Sequence, residues 1–386
     1  MIIRKSYIAA SVILIIFSVV LLLTLTDPFF VLLPLWAVFV FTLFLQCKIS
    51  VWRAVLFNLS FFCVLLSLLE AYSYFQYDRH EKKEYRGSYN QGYFIRDYVL
   101  GYVPYPNISV DSRKLVEDKI VYDVRYTIVD GHRITQKPSE QNGECILFFG
   151  GSFTFGEGVG DRQAMPYLVS EMQQTQVYNM AFHGYGPHQM LAAIESGMIP
   201  SCVPSLVVFQ TIPGHPARSA GHSFWDRFGP RYGLRNGVAM YQGHFDDNDT
   251  VVKNIFRLLL RKSYLYRRYI QIRNKVSDRD IGLYAAIIRK SKENLVNMFP
   301  QVKFKVLLWD KEKDDERVVK IKEKLRENDI SFTLVSEILP DLQEDNVLYQ
   351  IGPTERHPNG LAHQLIAEYV VEHMVAPVKE KASLSR

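Results

Sequence analysis

Hydrophobic and polar positions divide the chain into two unlike parts. Ser6 to Thr26 carries no charge and is dominated by Ile, Leu and Val; Pro28 to Cys47 is again uncharged; Ala54 to Leu69 is a third apolar run, flanked by Arg53 and Glu70. About 20 apolar residues cross a bilayer as a helix, so this pattern predicts three transmembrane helices within residues 1–76. A cleaved signal peptide is the competing reading of the first run, but no small-x-small cleavage site follows it and two further runs come at once. The third run also fits a buried or interfacial helix. Arg4 and Lys5 precede the first run, only Asp27 separates it from the second, and Lys48 and Arg53 separate the second from the third. Positive flanks stay cytoplasmic, which predicts a multi-pass protein of the inner (cytoplasmic) membrane with residues from 77 onward outside.

From residue 144 the pattern changes to short apolar stretches alternating with amphipathic ones. Strands are expected near 145–149, 177–180, 205–211, 303–309 and 331–335, and helices near 161–173, 187–197, 281–298, 315–327 and 359–373. That alternation predicts an α/β domain with a parallel sheet covered on both faces, over 144–375. Before it, Lys119 to Ile128 alternates like a strand, Asp130-Gly131 is a hairpin turn signal, and His132 to Gln136 is placed to return. Residues 77–143 therefore read as a small β-rich connector packed beside the main domain, and 376–386 as a polar tail.

A long insertion follows the third expected strand. Its first part, Gly214 to Thr250, is rich in Gly, His, Arg and aromatics and leaves the carboxyl end of a strand. His215 and Arg218 are its candidates for binding substrate, against the alternative of solvated loop charges. Its second part, Lys253 to Lys275, reads as a basic amphipathic helix with an apolar stripe through Ile255, Leu259, Leu265 and Tyr269. Such a helix either lies on anionic lipid or packs its stripe inward and solvates the other face.

Composition adds exclusions. Apolar residues make up 48% of the 386, enough for one large core or two smaller ones, and the net charge of +5 is modest and spread out. No aromatic-basic nucleic-acid signature, zinc-spaced Cys/His set or phosphate loop is present, so neither a nucleic-acid partner nor a metal or other cofactor is expected.

The candidate chemistry centres on Gly150-Gly151-Ser152-Phe153-Thr154-Phe155-Gly156-Glu157-Gly158. An apolar strand precedes it and a helix follows, so Ser152 falls at a strand-to-helix turn, where an α/β sheet presents a nucleophile. A serine needs a base, and the base an orienting partner. Three stretches together, Gly-Gly-Ser152-Phe-Thr, Asn179-x-Ala181-x-x-Gly184 and His357-Pro358-Asn359, resemble the blocks of the SGNH (GDSL-type) hydrolase superfamily. The resemblance covers roughly 144–372 and includes membrane-anchored bacterial members, whose preceding segment is similar to Leu100-Gly-Tyr-Val-Pro and Val121–Ile128. It implies a flavodoxin-like three-layer α/β/α sandwich, Ser152 as nucleophile, His357 as base, and the N–H groups of Ser152 and Gly184 as an oxyanion hole. Two departures stand out. Gly214 falls where the family's third oxyanion donor, an asparagine, belongs, leaving Gln210, Thr211 and His215 as alternatives. Thr354 falls where the acid often lies, which makes Glu355 the candidate partner of His357.

The implied activity is esterase or O-acyltransferase chemistry on an acylated envelope glycan or lipid. A second membrane protein is a possible acyl donor. A membrane-tethered, non-catalytic scaffold of an envelope polysaccharide machine is the alternative reading. In a flavodoxin-like order the strands after Cys145 and Cys202 are neighbours, within reach of a disulfide in an oxidising compartment; two buried thiols are the alternative. Cys47 and Cys63 lie in or beside the apolar runs and are expected free.

Overall fold

The computed structural model describes residues 5–25, 27–81, 86–88, 93–116, 119–136, 143–247, 250, 256, 259–260, 262–270, 276–312 and 315–375. The chain divides into two compact units, one of 1–84 with 248–275 and one of 85–247 with 276–386. This division differs from the one expected at two places. The stretch 248–275 belongs with the N-terminal helices and not with the α/β domain, and 85–143 belongs to the same unit as that domain.

The first unit holds three helices, α1 (Lys5–Thr24), α2 (Phe29–Gln46) and α3 (Ser50–Glu81). α2 and α3 are long and apolar enough to cross a membrane, with mean hydropathies of 2.3 and 2.1, whereas the apolar core of α1, Ala10–Leu22, is shorter. Their apolar side chains point largely outward, Val38 at 64% and Phe61 at 62% exposure, which water alone would not tolerate over such an area. Part of the expected basic helix at 253–275 lies outside the described residues, but its described portion closes polar groups within this unit. The buried Glu70 carboxylate accepts from Ser263 Oγ (2.8 Å) and from the backbone N–H groups of Tyr264 (2.6 Å) and Leu265 (3.1 Å). Lys262 Nζ donates to the carbonyls of Leu22 (2.6 Å) and Leu25 (2.7 Å), which α1 leaves open at its C-terminus. Of its described residues Tyr264 is buried, whereas Tyr269 of the expected apolar stripe is exposed.

The second unit is built on a nine-stranded sheet. In chain order its strands are β1 (Arg86–Ser88), then, after the hairpin of β2 (Phe94–Asp97) and β3 (Gly101–Pro104), β4 (Ile108–Val116), β5 (Lys119–Val129), β6 (His132–Arg133), β7 (Glu144–Phe149), β8 (Gln176–Asn179) and β9 (Val203–Thr211). A second hairpin of β10 (Pro230–Arg235) and β11 (Val238–His244) precedes β12 (Lys303–Leu308) and β13 (Phe332–Leu334), and β14 (Gln350–Gly352) and β15 (Glu355–Pro358) form a last pair. Strands β8-β7-β9-β12-β13 are parallel. Their order is the 2-1-3-4-5 of flavodoxin-like sheets, with its switch point between β7 and β9. All five lie within two residues of the expected strands.

The helices of this unit are α4 (Ser152–Phe155), α5 (Met165–Gln173), α6 (Pro187–Glu195), α7 (His215–Ser219), α8 (Asp278–Met298), α9 (Glu316–Glu327) and α10 (Gly360–Tyr369). Alternation along β7 assigns them to layers. Cys145, Leu147 and Phe149 face one core with α6 and α8, while Ile146 and Phe148 face the other with α5 and α10. The result is a mixed α/β fold with helices on both faces of a parallel-rich sheet.

The β-rich stretch is not a separate body beside this sheet. β6 pairs antiparallel with β8 through Arg133 and Asn179, so β5, β4 and β1 extend the same sheet beyond the parallel strands. Cys145, at the start of β7, and Cys202, just ahead of β9, are joined by a disulfide with Cα atoms 6.0 Å apart, while Cys47 and Cys63 are free. Alkylation of the denatured, unreduced protein is therefore expected to modify Cys47 and Cys63 alone, as read by peptide mass. Replacing Cys202 by serine is expected to cost the second unit about 2–4 kcal/mol in denaturant unfolding.

Candidate active site

β7 delivers the chain to the carboxyl edge of the sheet beside the switch point, and Ser152 starts α4 there. The turn closes because nothing projects from Gly151: a Cβ at that position would lie 2.7 Å from Arg218 Nη1 and 3.0 Å from the Tyr185 carbonyl oxygen. The short α4 cannot hold itself. Asn179, at the end of β8, donates its side-chain amide toward the Thr154 and Phe155 carbonyls (both 3.4 Å) and accepts from Ala181 N–H (3.2 Å). Arg133 donates to the carbonyls of Phe155 and Gly156 (2.6 Å each) and Val159 (2.7 Å), and to Asp161 Oδ1 (3.1 Å).

His357 arrives from the far end of the sequence. β14 and β15 pair antiparallel, and Asn359 then caps α10, its Oδ1 accepting from Ala362 N–H (3.0 Å). Its side-chain amide donates to the carbonyls of Leu348 (2.8 Å) and Gln350 (3.1 Å), fixing the loop that carries the histidine. His357 Nε2 lies 2.8 Å from Ser152 Oγ. His357 Nδ1 forms a short hydrogen bond with Glu355 Oε1, and the other carboxylate oxygen of Glu355 accepts from Lys114 Nζ at 2.5 Å. The three residues read from sequence as a triad are thus brought into one hydrogen-bonded line.

Gly184 takes a left-handed φ of 73°, and a Cβ there would lie 2.4 Å from Trp225 Nε1 and 2.7 Å from Tyr102 Oη. The turn after it packs on the Ser152 loop through Tyr185. His215 and Arg218 also stand against Gly151, with Arg218 Nη1 donating to the Tyr185 carbonyl (2.6 Å).

Sequence reasoning missed three charged groups here. Glu157, five residues after Ser152, is buried, with Oε2 2.6 Å from His183 Nδ1 and 3.5 Å from His357 Nε2. Its signal was a lone acid inside an apolar glycine-rich turn. Lys114 and Arg133 gave none, since their partners are set by strand pairing across the sheet. His188 bonds Asp226 (2.6 Å) and ties the insertion to α6. Among the described residues no group of three or more His, Cys, Asp or Glu is arranged to hold a metal.

Electrostatics follow from these contacts. Burial alone would raise the Glu355 pKa, but the hydrogen bond and charge of His357 and those of Lys114 outweigh it and bring it to about 2. Burial would likewise raise the Glu157 pKa; the charges of His357 and His183 and the His183 hydrogen bond hold it below the usual carboxyl range. For His357, burial works against the cation, yet the charge of Glu157 and the hydrogen bond and charge of Glu355 prevail and raise its pKa.

No protein-family model matches the chain, and no curated protein matches it. Solved structures similar to it include a lipolytic protein of the G-D-S-L family from Desulfitobacterium hafniense, at 13% identity, covering 59% of this chain and 97% of that one with a TM-score of 0.30. A member of the same lipolytic family from Veillonella parvula is 14% identical over 60% of this chain and 97% of its own, with a TM-score of 0.33. A family two carbohydrate esterase from Clostridium thermocellum, in complex with cellohexaose, is 11% identical over 64% and 66%, with a TM-score of 0.33. At these scores, what the site can do rests on its own geometry.

Because two carboxylates flank one imidazole, the His357 resonance is expected to titrate at a midpoint above that of an ordinary histidine in an NMR pH series. Glu157→Gln removes a negative charge from the Nε2 side, so it disfavours the cation and should move that midpoint to lower pH. An unmoved midpoint would mean that Glu157 does not act on the base.

Proposed function

We propose that this chain is a membrane-anchored serine esterase or O-acyltransferase of the SGNH (GDSL) type, acting through an acyl-serine intermediate on an acylated envelope glycan or lipid. The observation that carries the proposal is the 2.8 Å contact between Ser152 Oγ and His357 Nε2, with Glu355 on the opposite ring nitrogen. Ser152 Oγ attacks the ester carbonyl while His357 Nε2 takes its proton. The oxyanion forms against the N–H groups of Ser152 and Gly184, where fixed donors count most because they need no reorganisation. Collapse breaks the ester bond, and His357 returns the proton to the leaving alcohol. Water or a sugar hydroxyl then gives its proton to His357 and attacks the acyl-serine; the acyl–Oγ bond breaks, and His357 returns that proton to Ser152 Oγ. Glu355 holds the imidazole in the tautomer that accepts at Nε2 and stabilises the cation between steps. Lys114 keeps Glu355 ionised and in place.

For the full-length chain, Ser152→Ala and His357→Ala are expected to abolish labelling by a fluorophosphonate probe and to lower kcat for a chromogenic acetate ester on the order of 10⁶-fold, with Glu355→Gln costing less, on the order of 10⁴-fold. Labelling that persists in Ser152→Ala would give the nucleophile's role to another residue, and a wild-type chain that is not labelled would favour the scaffold reading. Product analysis with and without a glycan acceptor separates transfer from hydrolysis.

α2 and α3, long and apolar enough to cross a membrane, support anchoring; with α1 as a third span, the proposed anchor lies in the inner membrane and the second unit outside. Protease added to intact spheroplasts is expected to cut beyond residue 85 and to leave the N-terminus protected. The reverse pattern inverts the topology.

A further inference from the structure

One buried histidine in the site has no part in the chemistry above. His215 opens α7, is 1% exposed, and lies with its ring stacked on Phe209 at 5.8 Å and 27°. Its Nδ1 is 3.0 Å from Thr211 Oγ1, which is 2.9 Å from the hydroxyl of the fully buried Tyr284. The protons of this chain run in one of two directions. If His215 donated from Nδ1, Thr211 would donate to Tyr284, and the phenolic proton would be left in the core with no acceptor described for it. The bare Nε2 would then lack a donor as well, so two buried groups would be unpaired. In the other direction Tyr284 donates to Thr211, Thr211 donates to Nδ1, and the one group left without a partner is the proton on Nε2. Each unsatisfied buried group costs about 1–3 kcal/mol, so the second direction wins. It leaves the ring proton of His215 on Nε2.

That Nε2 is buried and has no hydrogen-bond partner. It lies 3.4 Å from where a Cβ of Gly151 would stand, beside Arg218 Nη1 and the Tyr185 carbonyl, which crowd the same point. It therefore stands where the Ser152 loop meets the turn following Gly184. Gln210 has its side-chain oxygen accepting from Thr154 Oγ1 (2.9 Å), and Thr211 is occupied within the proton chain.

We infer that the Nε2–H of His215 is a third donor to the oxyanion of the tetrahedral intermediate, held in that tautomer by Thr211 and Tyr284. This rests on the acyl-serine reading of Ser152. Burial, then the charges of Arg218 and His188, keep the His215 pKa well below that of an ordinary histidine. A neutral imidazole is thus maintained at neutral pH, and its N–H is a donor with no charge to desolvate.

The test uses the full-length chain in detergent, with p-nitrophenyl acetate as the probe and Ser152→Ala as the zero. His215→Ala is expected to lower kcat about 10²–10³-fold with KM little changed, the loss typical of one oxyanion donor. His215→Gln places an amide nitrogen close to the position of Nε2 and is expected to recover at least about tenfold of that loss. A role in packing alone predicts no such recovery. A His215→Ala enzyme retaining half or more of wild-type kcat, while Ser152→Ala is dead, overturns the donor and leaves the acyl-serine reading standing. Wild-type activity no greater than that of Ser152→Ala sinks both. A further measurement does not depend on the alanine variant folding: selectively ¹⁵N-labelled histidine, with the His215 signal assigned by its loss in His215→Gln, should show a protonated Nε2 and a bare Nδ1. A proton found on Nδ1 overturns the proposal.

Discussion

The arrangement around Ser152 depends on a guanidinium that cannot reach water. The Arg133 side chain is fully buried, and an unpaired charge in such a place would cost several kcal/mol. Its donors go to three carbonyls of the Ser152 loop and to Asp161, while its plane lies against the rings of Tyr126 (4.7 Å) and Phe155 (4.8 Å). The helix that carries Ser152 has four residues, and only its first carbonyl, that of Ser152, accepts from the backbone that follows, at Gly156 and Glu157. The guanidinium needs acceptors and the loop needs donors, so each satisfies the other. A strand of only two residues, β6, is thereby fixed at the edge of β8.

Around His357 the charges form a gradient rather than a single pair. Glu355 and Lys114 face one side of the ring and Glu157 and His183 the other. The imidazolium is the state these neighbours favour. The neutral imidazole is therefore reached only at a higher pH than an ordinary histidine needs. His215, a few residues from the same serine loop in space, has been given the opposite environment: burial beside cationic groups, so that it stays neutral. Two histidines close to one serine loop are thus pushed apart in proton affinity by their surroundings.

Much of this was legible in the residues because the signals are local. The strand β7, the glycine turn and the start of α5 lie within one short stretch, and the His-Pro-Asn block joins a histidine to the cap of the helix that follows it. Glu355 and His357 are two residues apart. What stayed hidden depends on pairing between distant segments. Alternation in Lys119 to Ile128 reveals a strand, but not that its hairpin partner will bond to β8 and complete the main sheet. The basic stretch after Thr250 has an apolar stripe whose partner no periodicity identifies, and it joins the unit of the N-terminal helices. Glu157 was visible, yet nothing in its neighbours announces a histidine 200 positions later.

The disposition of these contacts along the chain also bears on how the protein comes into being. Lys114 meets a residue 241 positions downstream, and Ser152 one 205 positions downstream. Contacts of such separation close late, because the loop entropy they cost must be met by structure already formed. During synthesis the sheet from β4 to β9 emerges well before β15, so a nascent chain holds its serine in a nearly finished elbow while the base is still inside the ribosome. The contact between Ser152 and His357 joins the two ends of the domain, so it cannot form until the whole domain has been made.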